Sequence, residues 1–376
     1  MNNDTQLVVF SHLRWDGVWQ RPHQVVSRLA SRHGRTFFVE EPLLADVRQP
    51  TMKCLEESGV TRCVLQTPRD TPPANGSWLT FGDTGGADHA QMVADLCDGV
   101  PSVAWLYSPM ALPLARSLNP ELLVYDVMDD LAAFVGASAE MKLRQAQALA
   151  EADVVFTGGR SLHESVVDKR HKPGNTFCFP SGVDIAHFSV ARRRGDRPVA
   201  GYVGVIDERL DLELLGAMAR ALPGWTIRMV GPVAKIDQRN LPHAPNIEYT
   251  GKKSYDDLPA IMAEFDVALM PFAISESTRA ISPTKTLEYL AAGLPVVSTR
   301  IRDVVRDCGD VVSFADDGQG FADLCEQLRA GGTVPNPKAV EAVLHHRQWD
   351  VIAAEMSRIL AQDSAAAADQ AGGAIA

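Results

Sequence analysis

Short runs of apolar, strand-forming residues alternate with helical patterns along this chain, and the alternation starts twice. The first round begins at Leu7-Val8-Val9-Phe10, and the second begins at Val199, after the polar stretch of residues 192–198. Alternating strands and helices are typical of parallel sheets that helices cover on both faces. Because 376 residues are too many for one ordinary core, the restart predicts two doubly wound α/β domains.

The break in the pattern sets the predicted domain boundaries. We expect a first domain at residues 1–192, a linker at 193–198 and a second domain at 199–345. A helical pattern continues beyond it, and we assign a C-terminal helix to residues 346–362. Residues 363–376 are rich in alanine and low in complexity, so we expect a disordered tail there.

Composition and charge exclude several classes of function. The formal net charge of −11 argues against a nucleic-acid binder. No apolar run is long enough to span a bilayer, the first residues lack a signal sequence, and the six cysteines form no CxxC pair. We therefore expect a cytoplasmic protein with reduced thiols. A peripheral contact with the inner face of the membrane would use the first domain, which is the less acidic one.

Residues 282–299 predict one complete helix followed by a buried strand. Ser282 is suited to cap the helix, Pro283 to occupy its first position, and Gly293 to adopt the left-handed conformation after its end. Two residues stand out against this structural pattern. Lys285 lies in the first turn, where the helix dipole disfavours a cation, and Glu288 follows on roughly the same face.

A bound anion would explain a cation at the start of a helix, because backbone N–H groups, dipole and ammonium group would then converge on it. The alternative interpretation is a solvated surface pair of Lys285 and Glu288. If the two domains face each other across a cleft, loops that follow the strands would line it. In the second domain, Arg209 and Lys252 lie in such loops and could face the same phosphate region. Neither a GxGxxG nor a GxxxxGK[ST] pattern occurs, which disfavours a dinucleotide cofactor or a P-loop.

The comparable loops of the first domain carry aromatic and acidic residues. Trp15 and Trp19 lie beside charged groups in residues 15–23, an arrangement that suits stacking on a sugar or, alternatively, fixes the loop. Asp129 and Asp130 follow a predicted strand and could act as acid, base or ligand. Without nearby His or Cys they are a weak metal signal, and Asp130 alternatively caps the next helix.

Five segments together resemble a known enzyme family. Residues 283–297 (PTKTLEYLAAGLPVV) are similar to the donor-binding segment of retaining, family-4-type bacterial glycosyltransferases of the GT-B fold. Residues 15–23 (WDGVWQRPH) resemble the opening loop of a subgroup near teichuronic-acid and capsule transferases. Three more segments fall in the expected order, namely 125–130 (YDVMDD), 179–184 (FPSGVD) and 246–251 (NIEYTG).

The resemblance implies a nucleoside diphosphate sugar, with a UDP-sugar expected, as donor substrate, and neither a further cofactor nor a metal. Glu288 would accept hydrogen bonds from the ribose, Lys285 and Arg209 would neutralise the diphosphate, and the backbone near residues 249–252 would hold the base. Four further positions are assigned to the donor site: Gly204, Gly251, Lys252 and Thr284.

The resemblance also implies roles for the first domain. Arg21, His23 and Asp129 would face the reacting sugar and the acceptor, which would be a hydroxyl of a glycan or a lipid-linked molecule. The C-terminal helix would cross back to the first domain. The implied function is retaining, metal-independent sugar transfer in cell-surface polysaccharide or glycoconjugate biosynthesis.

The sequence departs from the family pattern at two places. Ala280 stands where a second glutamate is usual, eight residues before Glu288, and residues 207–211 replace the usual Arg…Lys-Gly pair. Two alternative functions therefore stay open. One is a nucleotide-sugar epimerase on the same scaffold, and the other is a non-catalytic protein that binds sugar nucleotides.

Overall fold

The computed structural model of this chain describes residues 5–72, 79–83, 87–100, 102–134, 136–170, 173–193, 195–276, 278–279, 281–332 and 335–373. The chain forms two compact units. The first unit contains Met1–Gly158, Leu162–Phe179 and Trp349–Ala376, and the second contains Gly159–Ser161 and Pro180–Gln348.

The first unit is built on an eight-stranded sheet. Its strands are β1 (Gln6–Ser11), β2 (Thr36–Ala45), β3 (Thr51–Glu57), β4 (Val60–Pro68), β5 (Ser102–Leu106), β6 (Leu122–Val127), β7 (Val154–Thr157) and β8 (Thr176–Cys178). They lie in the order β3-β4-β2-β1-β5-β6-β7-β8. Neighbours pair in parallel except β3 and β4, which form an antiparallel hairpin at the edge. Its helices are α1 (Arg21–Ala30), α2 (Ala87–Cys97), α3 (Leu112–Ser117), α4 (Ala139–Glu151) and α5 (Arg160–Val167).

The second unit is built on a six-stranded, fully parallel sheet. Its strands are β9 (Val199–Val203), β10 (Thr226–Val230), β11 (Ile247–Gly251), β12 (Val267–Met270), β13 (Val296–Ser298) and β14 (Ser313–Phe314), in the order β11-β10-β9-β12-β13-β14. Its helices are α6 (Ile185–Phe188), α7 (Leu212–Ala221), α8 (Leu258–Met262), α9 (Thr284–Ala291), α10 (Arg302–Cys308), α11 (Gly318–Arg329) and α12 (Pro337–His345).

Local sequence explains where several of these helices begin. The carboxylate of Asp211 accepts a hydrogen bond from the Leu214 amide at the start of α7, and Asp317 does the same for Gly320 in α11. Side chains of this kind satisfy amide groups that the helix itself leaves unpaired. Strands β1 and β9 are wholly buried because they lie inside parallel sheets.

The C-terminal helix α13 (Trp349–Gly373) belongs to the first unit. Its inner face packs into the core beneath the eight-stranded sheet, through Trp349, Ile352, Ala353, Met356, Ile359 and Leu360. These residues recur at the three- and four-residue spacing of one helical face. The described helix also runs past the expected end at residue 362, into the segment for which we expected disorder, and alanine is the best helix former.

The boundary between the units differs from the expected linker. Apart from Gly159–Ser161, the chain enters the second unit between Phe179 and Pro180, and the arginine-rich stretch is part of that unit. The guanidinium of Arg192 donates to the carbonyls of Phe265 and Asp266, at 2.6 and 3.0 Å. The stretch resembles a linker in sequence because it is polar, although Arg192 binds backbone carbonyls of the second unit.

The edge hairpin was not predicted, and one expected strand is wrong. The two-residue turn of Ser58 and Gly59 has φ values of 54° and 83°, the conformation that joins tight hairpins. The apolar run at residues 78–81 predicts a strand in sequence. Trp78 lies outside the described residues, and Phe81–Asp83 forms a 3-10 turn instead.

The packing of α13 gives a direct test of the first unit. Replacing Met356, which has no exposed surface, with alanine should lower the free energy of unfolding by about 2–5 kcal/mol because it leaves a cavity. The matched control is Val351→Ala on the same helix, where 49% of the side chain is exposed. That control should change stability by less than about 0.5 kcal/mol in urea denaturation. Equal losses in both variants would contradict the packing described here.

Candidate functional site

The sheet of the second unit has a switch point between β9 and β12. Strands β10 and β11 follow β9 in sequence and lie on one side of it in the sheet. Strands β12, β13 and β14 lie on the other side. The loops that follow β9 and β12 therefore leave the sheet in opposite directions. In doubly wound domains, ligands bind at this point, outside the carboxyl ends of the strands.

Backbone hydrogen bonds hold these two loops together. The Asp211 amide donates to the Pro271 carbonyl, and the Ala273 amide donates to the Arg209 carbonyl, both at 2.8 Å. Leu210 and Phe272 form an isolated antiparallel bridge between the same segments. The loop that carries Arg209 is thereby fixed beside the loop that leads to α9.

Three glycines follow one another at the carboxyl ends of adjacent strands. Gly204, Gly231 and Gly251 have φ values of 157°, 146° and 71°, a region that side chains disfavour. The Gly231 amide donates to the Gly251 carbonyl at 3.0 Å. A Cβ on Gly231 would lie 1.8 Å from the Gly204 carbonyl oxygen, so this turn accepts no side chain. The predicted positions Gly204 and Gly251 thus lie on one edge of the sheet. Gly231 lies between them and had not been assigned to the site, although it also follows a strand.

Helix α9 begins one residue later than expected. Pro283, not Ser282, is the residue before the helix, and no side chain caps the first turn. Ser282 instead accepts a hydrogen bond from the Ser181 hydroxyl at its carbonyl oxygen, at 2.6 Å. Amide groups at an uncapped helix start must be satisfied by water or by a ligand. The predicted left-handed conformation of Gly293 is confirmed, with a φ of 68°.

Lys285 and Glu288 form an ion pair that is largely buried. The Lys285 Nζ lies 2.8 Å from Glu288 Oε2, and the two side chains are 17% and 3% exposed. The interpretation as a solvated surface pair is therefore wrong. Thr284, the first residue of the same helix, is half-buried beside them.

Tyr289 fixes α9 against the end of β9. Its hydroxyl accepts a hydrogen bond from the Val203 amide at 2.7 Å, and the side chain is fully buried. Burial raises the pKa of the Tyr289 hydroxyl, so the group stays protonated. Sequence reasoning had not assigned Tyr289 a role, although it follows Glu288 on an amphipathic helix.

The second predicted phosphate ligand is also paired. The Arg209 guanidinium contacts Asp207 with two nitrogens, Nε at 3.0 and 3.1 Å and Nη2 at 2.8 Å from the carboxylate oxygens. Arg209 is 25% exposed and Asp207 is 5% exposed. Lys252, the third predicted cation, is exposed just after β11. Two of the three cations therefore lie next to an acidic group close to them in sequence.

In the first unit, Arg21 is engaged inside the fold. Its guanidinium forms a bidentate pair with Asp126, at distances of 2.9 to 3.1 Å, and donates to the Phe179 carbonyl at 2.7 Å. The Arg21 and Asp126 side chains are 4% and 0% exposed. Burial alone would lower the pKa of Arg21, but the contact with Asp126 raises it overall. Arg21 therefore joins α1 to the ends of β6 and β8, a positioning role rather than the expected open contact.

His23 is likewise occupied at both ring nitrogens. Its Nδ1 accepts from the Gln20 amide at 3.1 Å, and its Nε2 lies 2.9 Å from the Arg14 carbonyl, partners that assign the neutral ring with the proton on Nε2. Trp15 and Trp19 lie against it, with ring centroids at 5.4 and 4.8 Å. Burial lowers the pKa of His23. These contacts support the alternative in which the aromatic residues fix the loop.

The two aspartates after β6 have different surroundings. Asp130 Oδ1 accepts from the Gln145 side chain at 2.7 Å and does not cap the following turn, contrary to that alternative. Asp129 is half-buried at the carboxyl edge of the sheet. At the end of the neighbouring strand β7, His163 Nδ1 lies 3.2 Å from the Thr157 hydroxyl. Sequence analysis had assigned no role to His163, because a single histidine in a helical pattern carries little signal.

The residues that the structure describes contain neither a metal centre nor a membrane-spanning helix. Among them, no group of three His, Cys, Asp or Glu side chains is arranged to hold a metal ion. In the same part of the chain, every helix is too short or too polar to cross a membrane.

Part of the sequence resembles known proteins. Residues 197–330 match the family model described as glycosyl transferases group 1. A curated relative from Bacillus subtilis (strain 168), provisionally named teichuronic acid biosynthesis glycosyltransferase TuaH, is 28% identical over 218 residues, 52% of this chain and 55% of the relative. The match thus spans about half the length of that relative.

Solved structures resemble nearly the whole chain. Sucrose-phosphate synthase from Thermosynechococcus elongatus has a TM-score of 0.74 at 14% identity, covering 96% of this chain and 100% of that one. Anabaena Alr3699/HepE, in complex with UDP and glucose, has a TM-score of 0.66 at 14% identity, covering 95% and 100%. These likenesses confirm the predicted fold class, two parallel-sheet α/β domains of the GT-B type.

The Arg21–Asp126 pair can be tested by removing its charges singly and together. Asp126→Leu should lower the free energy of unfolding by about 3–5 kcal/mol, because it leaves a buried guanidinium uncompensated. The double variant Arg21→Met, Asp126→Leu should recover a large part of this loss, since neither charge then remains. Urea denaturation of Asp126→Leu, Arg21→Met and the double variant gives the three losses of unfolding free energy. If the loss in the double variant equalled the sum of the losses in the two single variants, the pair would be contradicted.

The environment of His23 predicts a pH dependence of stability. Burial lowers the pKa of His23 in the folded state. Below about pH 6.5 this histidine therefore binds more protons in the unfolded chain than in the folded one. The free energy of unfolding should therefore fall as the pH drops below that value, by up to about 1.4 kcal/mol per pH unit for this one group. In His23→Gln, the free energy of unfolding, measured by urea denaturation, should change less between pH 7 and pH 5 than in the wild type. An unchanged slope would mean that His23 is not the responsible group.

Proposed function

We propose that this protein transfers a sugar from a nucleoside diphosphate donor to a hydroxyl group, because residues 197–330 match the family model described as glycosyl transferases group 1. The observation that carries the proposal is the buried Lys285–Glu288 pair at the uncapped start of α9. Helix α9 follows the loop after β12, one of the two strands at the switch point where a doubly wound domain binds its ligand.

The reaction requires stabilisation of negative charge that develops on the leaving diphosphate. The ammonium group of Lys285 and the amide groups at the start of α9 are positive groups of the kind that bind phosphate. Arg209 lies in the adjacent loop, which hydrogen bonds hold in place before any donor arrives. Preorganised groups of this type lower the barrier because they need little rearrangement during the reaction.

Glu288 is proposed to bind the ribose of the donor. An ionised carboxylate only accepts hydrogen bonds, and the two hydroxyl groups of a ribose donate them. Lys285 holds one carboxylate oxygen, Oε2, and thereby orients the group. The row of Gly204, Gly231 and Gly251 leaves the strand ends without side chains, which suits close approach of the nucleotide to the backbone. Lys252 and Thr284 remain proposed ligands at this edge.

The remaining parts of the proposal concern the donor base, the acceptor and the place of action. We favour UDP because UDP is bound to the Anabaena structure, and a glycan or lipid-linked acceptor because the Bacillus subtilis relative is named for teichuronic acid biosynthesis. Asp129, at the carboxyl edge of the first sheet, is the proposed acceptor-side group. Retention of configuration, independence of metal, and action in the cytoplasm with a peripheral membrane contact through the first unit also stay proposals.

A panel of nucleotides tests the donor assignment. UDP should raise the free energy of unfolding of the second unit by about 2.7 kcal/mol at one hundred times its dissociation constant, and GDP, ADP and dTDP should do so less well. Thermal denaturation with each nucleotide gives the ranking. If no nucleotide stabilised the protein, the proposed function would fail.

The same panel, supplied as UDP-sugars, separates the three functions. Transfer to an acceptor, or slow release of UDP in its absence, supports the transferase. Conversion of the sugar nucleotide without acceptor indicates an epimerase, and tight binding without any turnover indicates a binding protein.

Lys285→Ala should weaken UDP binding about 10- to 100-fold, which corresponds to about 1.4–2.8 kcal/mol, measured by calorimetry. The matched control is Lys253→Ala, which removes an exposed lysine after β11 and should leave the affinity within about twofold of the wild-type value.

Because Glu288 is buried, Lys285→Ala should also lower the free energy of unfolding by about 1–3 kcal/mol, whereas the loss of an exposed surface pair would not. Glu288→Gln in the Lys285→Ala background should restore that stability but not the affinity. Unchanged UDP affinity in Lys285→Ala would return the residue to a structural role.

A further inference from the structure

The hairpin at the edge of the first sheet brings two cysteines face to face. Strands β3 and β4 pair antiparallel, and the tight turn at Ser58 and Gly59 fixes their register. In that register Cys54 lies directly opposite Cys63. Residues directly opposite each other on an antiparallel pair have Cβ atoms about 4.5–5.5 Å apart, close to the separation that a disulfide spans.

The two thiols already point at each other. Their Sγ atoms are 3.6 Å apart, and both cysteines are free. Cys54 is exposed on the edge strand, whereas Cys63 has no exposed surface. An oxidant in solution can therefore reach the first sulfur directly, and the second lies behind it at contact distance.

We propose that Cys54 and Cys63 are a redox modification site that forms a reversible cross-strand disulfide by exchange with a small-molecule disulfide such as oxidised glutathione. Two features distinguish the pair from a lone surface thiol. The partner sulfur lies within a small movement of bonding distance, and the strands that carry both residues are held in register by the sheet on one side and by the turn at one end. Bond formation requires the two sulfurs to approach to about 2.05 Å, with no change of strand pairing.

The exchange proceeds in two balanced steps. The Cys54 thiolate attacks one sulfur of the oxidised glutathione, so that the glutathione S–S bond breaks, a mixed disulfide forms on Cys54, and one glutathione thiolate leaves. The Cys63 thiolate then attacks the Cys54 sulfur, and the second glutathione leaves. The two protein thiols lose two protons and two electrons, and one oxidised glutathione becomes two reduced glutathione molecules.

The surroundings of Cys63 set the rate of the second step. Burial, and next the neighbouring Cys54, raise the pKa of the Cys63 thiol, so that little thiolate is present at neutral pH. The mixed disulfide on Cys54 should therefore accumulate first and convert to the cross-strand disulfide more quickly as the pH rises. An exposed thiol that reacts and a buried thiol that resolves is the arrangement expected of a regulated site, since the modification remains reversible.

Oxidation of the full chain with oxidised glutathione tests the proposal. At pH 8, intact mass spectrometry should show a transient adduct of one glutathione, followed by a product that has lost two hydrogen atoms. Peptide mapping after alkylation should join Cys54 to Cys63, and dithiothreitol should restore both thiols. Hydrogen exchange of residues 51–68 should slow in the oxidised protein because the edge strand is then cross-linked to its neighbour.

Two matched variants make the outcome decisive. Cys63→Ser should stop at the glutathione adduct on Cys54, and Cys54→Ser should leave Cys63 unmodified in the same time. If the wild-type protein also stopped at the adduct, or formed it chiefly on the half-buried Cys178, the proposal would be overturned. Nucleotide affinity serves as the control for general damage, because the proposed donor site lies in the other unit and should be unchanged.

Discussion

The rule that a buried charge needs a partner governs the candidate site. Removing an ionic group from water costs several kilocalories per mole unless an opposite charge and hydrogen bonds compensate it. Arg21 with Asp126 in the first unit, and Lys285 with Glu288 and Arg209 with Asp207 in the second, meet this requirement near the ends of strands. These contacts fix the directions of the side chains, so the arrangement of α1, α9 and the loop after β9 depends on them.

The pairs differ in what they leave for a ligand. Arg21 and Asp126 are both nearly inaccessible, and their contacts join three elements of the first unit, which makes the pair part of the scaffold. Lys285 and Arg209 keep 17% and 25% of their side chains exposed while their acidic partners are buried. A cation that is partly exposed and anchored from behind by a carboxylate is well suited to meet a phosphate, because its position is set in advance.

Some structural elements of this chain could be predicted from the sequence and others could not. Alternation of strands and helices predicted both sheets, and the apolar runs that begin at Leu7 and Val199 coincide with β1 and β9. The edge hairpin was missed because β3 is polar and has no fully buried residue on either face, so it shows no alternation of apolar and polar residues. The linker was misplaced because arginine is polar in sequence but can bind backbone carbonyls, as Arg192 does. Helix α9 begins one residue later than its capping pattern predicts, because Pro283 and not Ser282 precedes the first helical residue.

The sequence by itself determined the two-domain α/β architecture, the second-domain helix with Lys285 and Glu288, and the order of the motifs that resemble a glycosyltransferase. Periodicity and turn residues act over a few positions and are therefore readable in sequence. Only the tertiary structure decided that Lys285 and Glu288 are buried together, that Arg21 and His23 are engaged within the first unit, and that Cys54 lies opposite Cys63. Burial, partners and strand register depend on residues far apart in the chain, and no local pattern records which of them meet.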